Sequence, residues 1–348
     1  MKKKIIYTIL ILFFSVELIL RIINPLYIQY GSFPSHIYKY DSFVYYKYRP
    51  NTSFKVGNNI IPINRQGYIG EDFKTNDSTV YKIAVVGGSG VSGPNHILEY
   101  ANYTFPLEEK LKNENYSVQV QNCGIDGANR SYLLLHSIYH YVMSFNPDIV
   151  LLECDLPLKS SNQVRAPYRN HLLFYPCGDN IRLQEVKAKV DKLIQYEWFF
   201  NILHQSYIFR ALVKYKMNNW GYTNEFDYYL SAYRTKGWGT AGVIEEELSI
   251  EQSIFLIKEL QMKLAEKNIK FFLLNTYGKT NMQIIKDGKL PCISTRLDFI
   301  EPDDFMYKDG HLNKQGCEKI ADKLCDLFIK YELIPKKYLL KKSADNSE

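Results

Sequence analysis

Apolar and polar positions alternate in two different ways along most of this chain. Strand-like segments occupy residues 82–86, 117–122, 148–152 and 270–275, and the first of them ends in glycines. Apolar residues at helical spacing occupy residues 104–111, 129–145, 250–267 and 314–331. Strands that alternate with helices predict a parallel sheet covered on both faces. We therefore expect an α/β fold, a flavodoxin-like three-layer sandwich around a central parallel sheet, with its ligand site beyond the carboxyl ends of the strands.

The N-terminal segment has a different pattern. Three lysines, Lys2, Lys3 and Lys4, precede an apolar run over residues 5–23, which is about the length that crosses a bilayer core. The lysines predict a cytoplasmic N-terminus, so that a single span places the rest of the chain on the extracytoplasmic side of the cytoplasmic membrane. A cleaved signal peptide is the main alternative, but no small-x-small cleavage site follows the run, which favours a retained anchor over residues 1–26.

Two charged residues interrupt this apolar run. Glu17 and Arg21 are four residues apart and share one helical face, where they can neutralise each other or extend toward the interface. The alternative is a functional charge inside the membrane.

Two further segments differ from the α/β pattern. Residues 27–77 are rich in Tyr, Asn, Pro and Gly without a sustained period, which predicts a stalk and an irregular lead-in. Residues 157–247 are crowded with aromatic side chains, and we predict that they form a mostly helical cap inserted into a domain spanning residues 78–340, before a polar tail at 341–348. The aromatic rings would stack on sugars, line an acyl pocket, or form the small core that the cap itself needs.

Composition narrows the functional classes. At 348 residues and 46% hydrophobic, the chain can bury one large core. The net charge of +6 includes the three N-terminal lysines and gives little support for nucleic-acid binding. The six cysteines lack the paired short spacings of zinc sites and thiol oxidoreductases. Most fit buried apolar positions, whereas Cys177 and Cys292 lie beside turn residues, where a disulfide is an open alternative.

A glycine-rich sequence, GGSGVSG at residues 87–93, follows the first strand. Gly88, Gly90 and Gly93 match the G-x-G-x-x-G dinucleotide fingerprint, but no acidic residue ends the second strand, which disfavours that interpretation. The alternative is a nucleophile turn, in which small neighbours leave the Ser89 hydroxyl exposed at the strand end. No cofactor is therefore expected.

A second polar sequence, DGHLNKQG at residues 309–316, precedes the last helix. Asp309 and His311, two residues apart in a loop, can present an imidazole to a nucleophile on another strand end. His136 and His140 share the i, i+4 spacing of some metal ligands, but Ser137 replaces the glutamate of H-E-x-x-H and no third ligand is evident. We interpret them as ordinary helix-face histidines and expect no metal.

The order of these segments resembles the SGNH (GDSL-type) hydrolase superfamily over residues 82–327, apart from the insertion. Gly87, Gly88, Ser89 and Gly93 are similar to its first block, with Gly88 in place of the acid. Residues 122–127 are similar to its second block, and the last block is matched by Asp309, His311, Leu312, Asn313 and Gly316.

The resemblance implies a catalytic triad of Ser89, Asp309 and His311. It also implies an oxyanion hole formed by the backbone N–H groups of Ser89 and Gly127. The third block departs from the family, because Cys154 stands where an asparagine donor is expected, and a thiol is a poor donor. The candidates to replace that donor are the side chains of Asn129 and Asn162.

These observations predict a membrane-anchored serine esterase that removes short acyl groups, such as O-acetyl, from a cell-surface glycan or a related ester. One alternative is an O-acyltransferase that uses the same triad to modify a surface polysaccharide. Another is a non-catalytic glycan-binding or assembly protein on a decayed SGNH scaffold, for which Gly88 and Cys154 are the support. The sequence identifies no protein partner.

Overall fold

The computed structural model describes most of the α/β region and parts of the insertion. The residues described are 2–23, 38–56, 59–93, 101–125, 131–161, 163–168, 171–176, 184, 187–188, 191–192, 195–203, 205–209, 211–212, 245–276, 282–295, 300–305 and 311–340. The helices, in chain order, are α1 (Lys2–Ile23), α2 (Ser89–Ser92), α3 (Thr104–Asn113), α4 (Ser131–His140), α5 (Glu197–Leu203), α6 (Ile250–Glu266), α7 (Met282–Gly288) and α8 (Lys314–Lys330). Short 3₁₀ helices occupy Val142–Phe145, Pro302–Asp304 and Lys336–Tyr338.

Within the described residues, the strands form one central sheet and four two-stranded units. In chain order they are β1 (Tyr38–Asp41), β2 (Tyr45–Tyr48), β3 (Thr52–Val56), β4 (Asn59–Ile63), β5 (Tyr81–Val86), β6 (Val118–Asn122), β7 (Ile149–Leu152), β8 (Lys159–Ser161), β9 (Gln163–Tyr168), β10 (His171–Pro176), β11 (Glu245–Glu247), β12 (Lys270–Asn275) and β13 (Cys292–Ser294).

The central sheet has the strand order β13-β12-β7-β5-β6, and each neighbouring pair is parallel. If these five strands are numbered 1 to 5 in chain order and the sheet is read from β6 to β13, their order is 2-1-3-4-5. This is the flavodoxin-like arrangement. The predicted α/β sandwich is therefore confirmed, and the four predicted strands agree with the observed ones to within a residue. The fifth strand, β13, was not predicted because three residues are too few to show a period.

Both faces of the sheet are covered by apolar layers. Ile83 and Val85 of β5 lie in one layer with the buried sides of α3 and α8, whereas Ala84 and Val86 lie in the other with those of α4 and α6. Every residue of β5 is buried, as expected for a central parallel strand. The sheet therefore holds the end of β5 rigidly between two packed layers.

The lead-in to the domain is more ordered than the sequence predicts. We expected residues 27–77 to be irregular, but β1 pairs with β2 and β3 pairs with β4 as antiparallel hairpins. Tyr38, Tyr46 and Tyr48 are buried in the layer beside α4, and the rings of Tyr38 and Tyr48 stack with centroids 5.2 Å apart. Strands of four or five tyrosine-rich residues bury enough aromatic area to fold onto the domain, although their pattern resembles that of a loop.

The described part of the insertion contains strands as well as helix. It opens with β8, which pairs with β11 near the insertion's end, and with the hairpin β9–β10. Helix α5 carries Trp198, Phe199 and Phe200. The predicted cap aromatics between Trp220 and Trp238 lie outside the described residues.

The N-terminal apolar run forms one continuous helix. Within α1, the segment Lys4–Ile23 is long and apolar enough to cross a membrane or to act as a signal sequence, and none of it is buried in the protein. The predicted helix is therefore present.

Five of the six cysteines are free thiols: Cys123, Cys154, Cys292, Cys317 and Cys325. Four of them are buried, as the apolar interpretation predicts. Cys177 lies outside the described residues, and Cys292, the other cysteine beside turn residues, is a free thiol.

Candidate functional site

Ser89 stands where the central sheet ends. Strand β5 finishes at Val86, Gly87 and Gly88 follow, and Ser89 is the first residue of the four-residue helix α2. A Cβ at position 87 would lie 2.4 Å from Cγ2 of Val91 and 3.2 Å from Cβ of Glu153. The first of these glycines thus lets the chain turn sharply between its neighbours and keeps Ser89 at the carboxyl edge of the sheet.

The second block of the sequence packs directly against this turn. An added Cβ on Gly124 would lie only 2.2 Å from the backbone nitrogen of Ser92, so the two main chains touch there. The Asn122 amide donates to the carbonyl of Val91 at 2.8 Å and to the hydroxyl of Thr104 at 3.1 Å, and its oxygen accepts from the N–H of Gly124 at 3.1 Å. This asparagine is buried and ties β6 to the Ser89 turn.

Main-chain hydrogen bonds continue past the ends of the strands. Cys123 and Ile125 donate to the carbonyls of Val85 and Gly87 at 2.8 and 2.9 Å, and Glu153 donates to Val86 at 2.8 Å. The chain around Ser89 is therefore fixed from both sides by backbone contacts.

His311 lies in a loop held against the start of α8. Phe305 and Leu312 form an antiparallel bridge, and the N–H of Asn313 donates to the carbonyl of Asp304 at 2.8 Å. The Asn313 side chain caps α8 by accepting from the N–H of Gly316 at 2.9 Å. These contacts fix the direction in which the chain leaves His311.

A buried ion pair supports the same loop. The Asp304 carboxylate is buried and accepts from the Lys319 ammonium at 2.7 Å and from the N–H of Glu301 at 2.7 Å. Burial alone would raise the pKa of Asp304, but these two donors hold it below its ordinary value. The carboxylate is therefore charged at neutral pH and anchors the Pro302–Asp304 helix to α8.

The two loops meet at Ser89 and His311. The Ser89 Oγ lies 2.6 Å from the His311 Nε2, although the residues are 222 positions apart in the chain. Both side chains are partly exposed, so a substrate can approach them. In the tautomer with its proton on Nδ1, the imidazole accepts the serine proton, which is the arrangement that activates a hydroxyl for nucleophilic attack.

Several predicted site residues lie outside the described part of the chain. They are Asp309, Gly127, Asn129 and Asn162. Cys154 is described, and it continues the buried row of Val150 and Leu152 into the layer beside α6. Burial raises the pKa of the Cys154 thiol, so the group is neutral. The side chain therefore belongs to the apolar core.

A second polar group at the same sheet edge escaped the sequence argument. The Glu153 carboxylate, directly after β7, accepts from the Tyr103 hydroxyl at 2.8 Å and from the Thr276 hydroxyl. It joins the ends of β7 and β12 to the start of α3. Its position after an apolar strand is the one sequence signal that could have identified it.

His136 and His140 stack on each other with ring centroids 5.8 Å apart, and His140 stacks on Phe43 at 3.6 Å. Among the described residues, no group of three or more potential metal ligands occurs. The pair packs as aromatic rings on α4.

No protein-family model matches the chain. No curated protein matches it either. Solved structures that it resembles include a putative lipolytic protein of the G-D-S-L family from Desulfitobacterium hafniense DCB-2, at 12% identity and a TM-score of 0.36, covering 71% of this chain and 98% of that one. A lipase/acylhydrolase from Enterococcus faecalis gives 11% identity, a TM-score of 0.37, and coverage of 72% and 97%.

A third is a psychrotrophic esterase from Pseudoalteromonas sp., at 12% identity and a TM-score of 0.37, with 73% of this chain and 99% of that one covered. Because these TM-scores are below 0.5, the fold assignment rests on the strand order of the sheet. The chain is an α/β sandwich of flavodoxin-like order with a serine and a histidine in hydrogen-bonding contact at its carboxyl edge.

Proposed function

We propose that the protein is an SGNH-type serine esterase, with Ser89 as nucleophile, His311 as general base and Asp309 as the residue that orients His311. The observation that carries the proposal is the 2.6 Å contact between Ser89 Oγ and His311 Nε2. A partly exposed serine hydroxyl within hydrogen-bonding reach of an imidazole, at the carboxyl edge of a parallel sheet, is the arrangement of a nucleophile and its base.

The reaction follows from this contact. Ser89 Oγ attacks the ester carbonyl carbon as Nε2 takes its proton, and the intermediate collapses when the bond to the alcohol oxygen breaks. The protonated imidazole gives the proton to the departing alcohol. Water then attacks the acyl-serine with His311 again as base, which releases the acid and restores Ser89.

The supporting roles come from sequence position. Asp309 is two residues before His311, the spacing of the last block, and a carboxylate there would hold the imidazole tautomer and stabilise its protonated form. The N–H of Ser89 lies at the start of α2, which favours the developing oxyanion, and Gly127 would supply a second donor. Asn129 or Asn162 would supply a third, since the Cys154 thiol is buried in the core.

We further propose that α1 is retained as a single membrane span with the α/β domain on the extracytoplasmic side. The length and apolarity of Lys4–Ile23 and the lysines at its start support this arrangement. A surface location and the aromatic insertion favour a glycan acyl ester as substrate. Transfer of the acyl group to a polysaccharide hydroxyl would use the same acyl-serine.

Fluorophosphonate labelling of the full chain tests the nucleophile. The wild type should be labelled and Ser89→Ala should not, because only an activated hydroxyl displaces the leaving group on phosphorus. Ser92→Ala is the matched control in the same turn: its hydroxyl is buried and bonded to the carbonyl of Gly93 at 3.4 Å, so labelling should persist.

An unlabelled wild type, or labelling that survives Ser89→Ala, would support the non-catalytic alternative instead. Release of p-nitrophenol from its acetate, with and without a glycan acceptor, separates hydrolysis from transfer. Faster release accompanied by an acylated glycan would identify a transferase.

A further inference from the structure

The end of α1 is bonded to a segment of the insertion nearly 190 residues away. The Glu17 carboxylate accepts from the Ser206 hydroxyl at 2.9 Å and from the N–H groups of Tyr207 and Ile208 at 3.0 Å each. The Nε of Arg21 also donates to Glu17 at 2.8 Å, and the Nη2 of Arg21 donates to the carbonyl of Gln205 at 2.8 Å. The charges of Glu17 and Arg21 are thus satisfied by each other and by the insertion.

These hydrogen bonds fix the position of residues 205–208 along the axis of α1, and therefore their depth in a membrane that α1 spans. Glu17 is six residues before the end of α1 at Ile23, which corresponds to about 9 Å along the helix axis. A carboxylate at that level of a membrane span is costly unless it is fully hydrogen-bonded. Because three of its donors belong to residues 206–208, that segment must lie at the same level as Glu17.

On both sides of residues 205–208 in the sequence, the insertion carries large apolar side chains that are exposed to solvent. Trp198 is 63% exposed, Ile202 61% and Leu212 63%, and Phe199 and Tyr196 are also exposed. Several large exposed apolar side chains within one short segment are unfavourable in water. Tryptophan and tyrosine are, by contrast, the residues favoured where a bilayer meets water.

We propose that the described residues between 196 and 212 of the insertion lie in the outer interface of a lipid bilayer, held against α1 by Glu17 and Arg21. The proposal rests on the retained membrane span proposed above. The insertion leaves the domain directly after β7, at the carboxyl edge of the sheet where Ser89 lies. In the docked arrangement we expect acyl esters presented at the membrane surface to be favoured as substrates.

Tryptophan fluorescence gives a direct test. The only tryptophans of the chain are Trp198, Trp220 and Trp238, so Trp220→Phe with Trp238→Phe leaves Trp198 as the sole reporter. The full chain is reconstituted in phosphatidylcholine liposomes with lipids brominated either close to the headgroup or close to the chain end. We expect blue-shifted emission and stronger quenching by the shallow bromines, as for a side chain at the interface.

The control places the reporter on the opposite edge of the domain. Tyr331→Trp, in a chain whose three tryptophans are phenylalanine, puts an exposed ring at the end of α8, next to Leu333, whose carbonyl accepts from Tyr81 at the start of β5. Bromines at either depth should leave this tryptophan unquenched. Equal quenching at the two positions would overturn the proposal.

Two substitutions in α1 test the polar contact. Glu17→Ala removes the acceptor for Tyr207 and Ile208 and should reduce Trp198 quenching by at least about twofold. Thr8→Ala, whose hydroxyl bonds only within α1 to the carbonyl of Lys4, should leave it unchanged. Unchanged quenching in Glu17→Ala, or the same loss in both variants, would contradict the role of Glu17.

Flotation of the same liposomes separates the two proposals. If the full chain does not float with the liposomes, the membrane span fails and the docked insertion fails with it. If the chain floats but Trp198 emits as in water and is not quenched, only the docked insertion is overturned. Fluorophosphonate labelling of Ser89 is independent of both results.

Discussion

The two loops that meet at the candidate site are held in place by different forces. The Ser89 turn is fixed by main-chain contacts: strand-like hydrogen bonds from Cys123, Ile125 and Glu153, and the close approach of Gly124 to Ser92. The His311 loop depends more on side chains, chiefly Asn313 and the ion pair of Asp304 with Lys319. Ser89 is therefore positioned by the sheet itself, whereas His311 is positioned by side-chain contacts at and beside the start of the last helix.

This difference predicts how substitutions in each loop affect stability and activity. Disturbing the Ser89 turn should cost stability and activity together, because the turn is part of the core. Disturbing the His311 loop should reduce activity more than stability, because a displacement of about 1 Å at a reacting group can lower a rate by about a hundredfold.

The largest effect is expected from Gly124→Ala. The new methyl would lie 2.2 Å from the backbone nitrogen and 2.6 Å from the Cα of Ser92, and main chain on both sides cannot move aside. We expect a loss of about 3 kcal/mol in the free energy of unfolding, together with loss of fluorophosphonate labelling. Urea unfolding and labelling of the same preparation measure both.

Gly288→Ala is the control for this change. An added Cβ there meets only the side chains of Leu290 at 3.0 Å and Ile254 at 3.1 Å, which can shift. Its cost should be below about 1.5 kcal/mol, with labelling retained. If Gly124→Ala were labelled as fast as the wild type, the Ser89 turn would tolerate displacement. The proposed difference between the two loops would then be wrong.

An intermediate effect is expected from Asp304→Asn. The substitution keeps the shape but removes the charge that bonds to Lys319, which should cost about 1–3 kcal/mol and slow labelling of Ser89 about tenfold or more. Asp303→Asn, at the exposed neighbouring position, should leave both quantities unchanged. A labelling rate unaffected by Asp304→Asn would mean that the ion pair does not position His311.

The same pair predicts a response to acid. Because its pKa is lowered in the folded state from the ordinary 3.8, the Asp304 carboxylate stabilises the fold fully above that pH. Its contribution is lost as the pH falls below 3.8 toward the lowered value. Thermal unfolding scanned across this range should show a steeper acid loss in the wild type than in Asp304→Asn.

The smallest effect is expected from Asn313→Ala. Loss of the cap on α8 should cost about 1 kcal/mol, and the adjoining His311 loop should loosen, with slower labelling. Ser249→Ala removes the corresponding cap of α6, where the side chain accepts from the N–H of Gln252 at 3.1 Å. The stability loss should be larger in Asn313→Ala, because its amide also donates to the carbonyl of Asp303 at 2.6 Å. Labelling should slow only in Asn313→Ala, and slowing in both variants would count against a local role for Asn313.

The sheet could be predicted because buried parallel strands have a clear sequence pattern. The segments around Ile83, Val150 and Phe271 are short, apolar and bounded by turn residues, and the helices between them keep their period. The lead-in was predicted wrongly, since tyrosines at positions such as Tyr38 and Tyr46 bury aromatic rings while matching the composition of a loop. Strand β13 is too short for any periodic signal.

The site was partly predictable for a similar reason. Ser89 and His311 each sit in a recognisable local sequence, and the topology of the sheet brings those sequences to one edge. Long-range polar partners leave no such record. Nothing local marks the acceptance of hydrogen bonds from Tyr103 and Thr276 by Glu153, or the contact of Glu17 with Tyr207, because each depends on how distant segments pack.

The folded hairpins at the start of the domain limit how far the α/β domain can lie from α1. Because β1 begins at Tyr38 and packs onto the core, only residues 24–37 connect α1 to the globular part. Fourteen residues extend to about 50 Å at most. If α1 spans the bilayer as proposed, the α/β domain stays within about 50 Å of the membrane even when the insertion is released from α1, so ester groups farther out must be brought to it.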